Sequence, residues 1–246
     1  MNVKRKVIGF YKLFHSVTGK ETIHFIHIGK TAGTAIRSAF AAKSSLTGNV
    51  VPIHNKLFIM HGHDFTLDKV KPGQKVFFVV RDPVSRFISG FNSRLRKGMP
   101  KNHNPWSKEE EFAFNLFKTP NELGEALSDP NKETRNSAVR AMKGIGHVRS
   151  SYWDWIGDST YLKKNKDKII RVLRQEHLSS DFHHFSLEAE LNFDLPQNNV
   201  LQSHKTPTGF YKSLSKKAHL NLKEWYKVDY EFLDLLHELG FLPEKY

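Results

Sequence analysis

The chain of 246 residues is basic, with 38 Lys and Arg against 25 Asp and Glu, and its 39% hydrophobic content is that of a globular protein. It contains no cysteine, which excludes disulfides, zinc–thiolate sites and thiol nucleophiles. The net charge of +13 points to anionic partners, whether nucleic acid, a membrane surface, a nucleotide or an acidic polysaccharide. At a prior of about 150 residues per domain there is room for one large domain or two small ones, and we read a single domain over 1–246. Residues 1–20 form an N-terminal extension of it. Their apolar part is cut by Lys12 and is too short for a cleaved signal; a weak membrane-surface anchor is the alternative. No apolar stretch approaches the ~18 residues of a membrane span.

Thr22–Ile28 is β-rich and apolar apart from His24 and His27, which predicts a largely buried strand whose histidines are satisfied by neighbours. Gly29-Lys30-Thr31-Ala32-Gly33-Thr34 follows, small residues around one cation and two hydroxyls. Ile36, Ala39 and Phe40 then fall at helical spacing. Strand, glycine-containing loop and helix together make a device for gripping phosphate: loop amides and a helix N-terminus face an anion, and a lysine adds a full charge. It is not a Walker A loop. That pattern requires an earlier glycine where His24–Phe25 stand and a lysine after the second glycine, whereas Lys30 follows the first.

Further along, a turn at Thr47-Gly48-Asn49 precedes a short strand predicted over 57–60, which runs into His61-Gly62-His63-Asp64. After Pro72-Gly73, KVFFVV at 75–80 predicts a buried strand, and Arg81-Asp82-Pro83 ends it and starts a helix. On that helix Val84, Phe87, Ile88, Phe91 and Leu95 form an apolar stripe, with Ser85, Ser89, Asn92 and Arg96 opposite. Residues 92–108 read as an exposed basic loop or helix end carrying Arg94, Arg96, Lys97, Lys101 and Lys108. Roughly 109–143 reads as helical, broken near Pro120 and Pro130, and 146–159 as an aromatic-rich loop. KIIRVL at 168–173 predicts a strand leading through Arg174-Gln175-Glu176 to a helix near 179–191, and 194–208 a loop. A last helix is expected over 215–239, with Leu222, Trp225, Val228, Phe232, Leu235 and Leu239 on one stripe and Gly240 and Pro243 stopping it.

Strands alternating with helices predict an α/β fold with a central, mostly parallel sheet flanked by helices on both faces. Ligands of such sheets bind beyond the strands' carboxyl ends, so the loops beginning at Gly29, His61, Arg81 and Arg174 are expected to converge on one crevice.

IGKTAGT followed by VVRDPVSRFISGF resembles the two nucleotide signatures of sulfotransferases that use 3′-phosphoadenosine 5′-phosphosulfate (PAPS). The first is similar to the 5′-phosphosulfate loop. The second is similar to the 3′-phosphate motif, an arginine ending a strand and a serine eight residues on, here Arg81 and Ser89. HGHDF at 61–65 resembles the His-Gly-His of heparan sulfate (hexuronyl) 2-O-sulfotransferases, and GHVRSSYWDWIGDS, the HKTP segment and the C-terminal helix resemble that subgroup's later regions. The resemblance covers about residues 22–240. It implies a P-loop-NTPase-like three-layer fold and a donor site made of Lys30, Thr31, Ala32, Gly33, Thr34, Ala35, Arg81 and Ser89, with Lys205 and Thr206 closing over the nucleotide. Two positions depart from the family's pattern: Gly29 replaces its proline and Ala35 its serine.

Sulfuryl transfer, like phosphoryl transfer, proceeds in line through a loose transition state, so positioning and charge stabilisation dominate. Lys30 is suited to neutralise charge on the leaving 3′,5′-diphosphoadenosine. A sugar hydroxyl needs a base, and His63 or His61 is the candidate, worth about 10²–10⁴ in rate; at i and i+2 both are expected to face the crevice. Tyr152, Trp153 and Trp155 read as sugar-stacking or core residues, Glu176 as a helix cap or an assistant to the base, and His147 and His204 as structural, with contact to acceptor or nucleotide the alternative. The basic run around Arg94–Lys101 reads as a solvated face or an acceptor-binding surface. The expected acceptor is a carbohydrate hydroxyl on an acidic oligo- or polysaccharide, with no metal and no nucleic acid, in a cytoplasmic bacterial-type enzyme; an excised luminal domain of a Golgi enzyme is the alternative. The rival readings are a nucleotide-dependent kinase on a similar scaffold and a non-catalytic basic glycan-binding protein.

Overall fold

The computed structural model of the protein describes residues 21–43, 49–99, 103–196, 213–244 and 246. These divide into two compact units, one within Met1–Val80, Trp153–Ser203 and Glu238–Pro243, the other within Arg81–Tyr152, His204–His237 and Glu244–Tyr246.

The first unit is built on a five-stranded sheet of order β2-β3-β1-β4-β5, comprising β1 (Glu21–Ile26), β2 (Val50–Ile53), β3 (Lys56–Met60), β4 (Lys75–Val80) and β5 (Ile169–Arg174). β1 runs parallel to β3 and β4, and β4 parallel to β5, while β2 alone is antiparallel, on β3. All five side chains from Val76 to Val80 are buried, as the central strand of a parallel sheet requires. One face is packed by α1 (Gly33–Ala41) and α8 (Leu178–Glu188): Ile23, Phe25, Phe58, Phe77, Val79 and Leu173 meet Ile36, Phe40, Phe182 and Phe185 in one core.

The first unit departs from expectation in three places. β1 stops at Ile26, two residues early, where the Ile28 amide turns back onto the Ile26 carbonyl at 3.2 Å. β2 was not foreseen, because Pro52 removes a ladder donor; accordingly it lies at the sheet's edge, where such a loss is tolerated. The aromatic segment after 152 is not all loop: α6 (Trp153–Ile156) and α7 (Ser159–Asn165) occupy its end.

The second unit is helical among the described residues, with α2 (Pro83–Leu95), α3 (Lys108–Leu116), α4 (Pro120–Ala126), α5 (Lys132–Gly144), α9 (Lys216–Trp225) and all but the last residue of α10 (Lys227–Glu238). Val84, Phe87, Phe91, Phe114, Leu123, Met142, Leu222 and Tyr226 form its core. The breaks expected near Pro120 and Pro130 are present, with Thr119 and Asn131 capping the helices that follow.

The single terminal helix does not form. It is interrupted at Tyr226, which leaves helical geometry at φ −96°, is buried, and donates its hydroxyl to the Val148 carbonyl at 2.8 Å. The phase of the stripe shifts there, and Val228 is exposed. Nor are the polar residues late in α2 solvated: Asn92, Ser93 and Arg94 are buried, and Arg94 reaches both oxygens of Glu110 at 2.5 and 2.7 Å. Among the described residues no helix is long and apolar enough to cross a membrane.

Candidate active site

Four parallel strands, β3, β1, β4 and β5, end on one edge of the sheet. After β1 the chain forms the glycine loop. Lys30 and Ala32 sit at φ 69° and 70°, a left-handed conformation rare for residues with a Cβ. The Thr31 hydroxyl donates to the Ile28 carbonyl at 3.0 Å and its side chain is buried, so its proton is committed to the loop rather than to a ligand. Ala35 likewise donates its amide to the Ala32 carbonyl at 2.9 Å. Of the six loop residues expected at the donor, Lys30 and the amides of Gly33 and Thr34, which precede the first intrahelical bond, are best suited to meet an anion. No side chain caps α1 and its first turn carries no acid, so its N-terminus suits an anion. A Cβ on Gly33 would lie 2.0 Å from the His27 ring, so only glycine lets that ring lie against the loop.

The two candidate bases sit just beyond β3 and take different partners. His24, buried on β1, contacts Gln74 Oε1 through Nε2 at 3.0 Å and His61 Nε2 through Nδ1 at 2.8 Å. The Lys71 amide also donates to Gln74 Oε1, at 3.2 Å, so that oxygen is an acceptor and His24 Nε2 carries a proton. Neutral His24 then accepts at Nδ1, and His61 donates from Nε2. The His61 ring also stacks flat on Phe65, with centroids 3.5 Å apart. His63 is exposed, and its Nδ1 lies 2.9 Å from the His27 carbonyl, which can only accept. In neutral His63 the lone pair is therefore on Nε2, the form a general base requires. Trp155 Nε1 donates to the His63 carbonyl at 2.8 Å and fixes that backbone. The two rings thus take different partners: His61 is bonded to His24 of β1, and His63, the more exposed of the two, meets the His27 carbonyl through Nδ1.

In the second unit Arg81 directly follows β4, and Asp82 caps α2 by accepting the Ser85 amide at 2.7 Å. Ser89, half-buried, lies on α2 one turn beyond Ser85. The Tyr152 hydroxyl brackets the Arg81 backbone, accepting from its amide at 3.0 Å and donating to its carbonyl at 2.5 Å. Tyr230 donates to Asp82 Oδ2 at 2.7 Å. Burial first, then the Asp82 hydrogen bond and charge, raises the Tyr230 hydroxyl's pKa and keeps it a donor.

Several expected ligand contacts are structural. Tyr152 and Trp155 are buried, which removes them as sugar-stacking surfaces, while Trp153 is half-buried. Arg174 binds Asp181 with Nε and Nη2 at 3.0 and 2.8 Å; burial raises the carboxyl's pKa, but the Arg174 hydrogen bonds bring it below its usual range. His177, not Glu176, occupies the N-cap position of α8. The basic run is not a solvated face: Arg94 is buried, Arg96 bonds the Met99 carbonyl, and Lys97 lies over the Trp106 ring. Lys205, Thr206, His204 and Lys101 lie outside the described residues. Sequence reasoning missed Gln74, Tyr152 and Tyr230 as supports. The register that pairs His24 with Ile59, two residues before His61, is the signal that links the histidines, and only the fold supplies it.

Residues 15–235 match the sulfotransferase family. The chain belongs to that family, a group of transferases of sulfur-containing groups. No curated protein matches it.

Proposed function

We propose that the protein is a PAPS-dependent O-sulfotransferase on a single P-loop-like three-layer domain, acting in the cytoplasm on a hydroxyl of an acidic carbohydrate. The observation that carries the donor assignment is the start of α1: an N-terminus with no side-chain cap and no acid, preceded by Lys30 in a left-handed loop. Such a loop fits the terminal phosphosulfate of PAPS, with Lys30, Gly33 and Thr34 at that end and Arg81 and Ser89 on the 3′-phosphate. When bound, PAPS supplies the activated sulfuryl group. His63 Nε2 takes the proton of the acceptor hydroxyl, and the Lys30 ammonium neutralises charge on the phosphate oxygen that departs. The excess of basic residues favours an acceptor bearing carboxylates or sulfates, in keeping with the hexuronyl 2-O subgroup.

The test is transfer of labelled sulfate from PAPS across a panel of neutral and acidic oligosaccharides. Label on an acidic glycan, lost in His63→Ala, supports the reading. Transfer to none, with thermal stabilisation by ATP–Mg²⁺ but not by 3′,5′-diphosphoadenosine, supports a kinase instead.

A further inference from the structure

The geometry points to Tyr152 as a positioning residue for Arg81, one that sets recognition of the donor's 3′-phosphate; the inference rests on the assignment of Arg81 to that phosphate. A single hydroxyl engages both backbone groups of Arg81, at 3.0 and 2.5 Å. A turn residue directly after a strand can otherwise adjust its φ and ψ; held at both its amide and its carbonyl, Arg81 has a restrained backbone and so a restrained direction for its Cα–Cβ bond, from which the guanidinium starts.

The Tyr152 side chain is itself enclosed. Tyr152 is fully buried, its ring stacks on Phe232 at 5.1 Å, and the Arg86 guanidinium lies 4.8 Å from the ring centroid. The Tyr152 backbone is held by Asp229, whose Oδ1 accepts from the Tyr152 amide at 2.7 Å and the Ser151 hydroxyl at 2.6 Å. Asp229 is completely buried and pairs with Arg86 at 3.4 Å, and Arg86 in turn donates to the Ser150 carbonyl at 2.5 Å. A buried ion pair is tolerated when its remaining hydrogen-bonding capacity is met, and here that capacity holds the residues carrying the clamp. Tyr230 extends the brace by one residue, onto Asp82. The arrangement is preorganisation: the cost of ordering the arginine is met on folding rather than on binding.

The experiment is calorimetric titration of 3′,5′-diphosphoadenosine and of 5′-AMP into the wild type, Arg81→Ala and Tyr152→Phe. Tyr152→Phe keeps the ring and removes the clamp. Its preference for the diphosphate over 5′-AMP is expected to fall about five- to tenfold, the worth of about one hydrogen bond, with 5′-AMP affinity unchanged. A wild-type preference in Tyr152→Phe, or equal weakening toward both nucleotides, overturns the inference. A wild-type preference in Arg81→Ala overturns instead the donor assignment beneath it. Should Tyr152→Phe fail to fold by thermal melting, Tyr230→Phe decides. The same selective loss, at smaller size, upholds the brace, and unchanged discrimination removes it.

Discussion

The loop after β1 and the turn after β4 both leave a parallel strand and both open a helix, yet they keep their shapes by different means. The loop is shaped mainly by its own backbone: Lys30 and Ala32 hold left-handed conformations, a side-chain bond within it runs from the Thr31 hydroxyl to the Ile28 carbonyl, and no side chain caps the helix that follows. The turn is braced by side chains, with Asp82 capping α2 and the Tyr152 and Tyr230 hydroxyls gripping Arg81 and Asp82. An uncapped helix start offers amides to a ligand, whereas a capped one has spent them, so on the proposed reading recognition there would fall to side chains such as Arg81 and Ser89. On the proposed reading, the strain in the first and the bracing of the second would correspond to amide-based and side-chain-based recognition.

The comparison breaks most sharply at the base beside the loop. His63→Ala is expected to lower kcat by about 10²–10⁴ with little change in binding of 3′,5′-diphosphoadenosine, and His61→Ala to lower it less, measured by initial rates. A larger loss in His61→Ala than in His63→Ala would show that the His24-linked ring, rather than the one tied to His27, carries the proton.

Next in size is the second unit's own scaffold. Burial pushes the Glu110 carboxyl up, but the Arg94 hydrogen bond and the Ser107 and Gly146 amides bring it down to about 2. A folded-state value below the unfolded one stabilises the protein above the unfolded pKa. That stability is lost as pH falls from about 4.5 toward about 2. Glu110→Gln strands a buried guanidinium and is expected to cost about 3–5 kcal/mol in denaturant unfolding. It also flattens the acid limb of the stability profile in that window.

Gly33→Ala acts on the loop alone. A Cβ 2.0 Å from the His27 ring forces that ring or the start of α1 to move. The expected cost is about 1–3 kcal/mol, with weaker binding of 3′,5′-diphosphoadenosine by calorimetry. Ala32→Gly is the mildest test. It relieves about 1–2 kcal/mol of left-handed strain against about 0.4–1 kcal/mol of added unfolded-state freedom, so the net gain in thermal unfolding is between about 0 and 1.6 kcal/mol. A loss would mean that the conformation at φ 70° carries no strain.

These two regions also show what a sequence reveals. KVFFVV and the strand–glycine–helix pattern of 22–40 are local, and their periodicity yields the parallel core and the loop without knowledge of neighbours. The supports are not local. Tyr152 lies 71 residues from Arg81 and Tyr230 lies 148 from Asp82; in the sequence both look like ordinary core aromatics. Arg94 misled for the same reason, since its carboxylate partner comes from the next helix. Val228 fell on the predicted stripe by spacing but is exposed, because the helix is interrupted at Tyr226, which periodicity cannot register.

The most direct test of the account is titration of 3′,5′-diphosphoadenosine into the wild type and into the Lys30→Ala and Arg81→Ala variants at fixed ionic strength. Tight binding by the wild type, weakened about tenfold or more by each substitution, is the predicted result, since on the proposed reading each variant would lose one charge-assisted contact to phosphate. Absence of binding, or variants that bind as the wild type does, would contradict it.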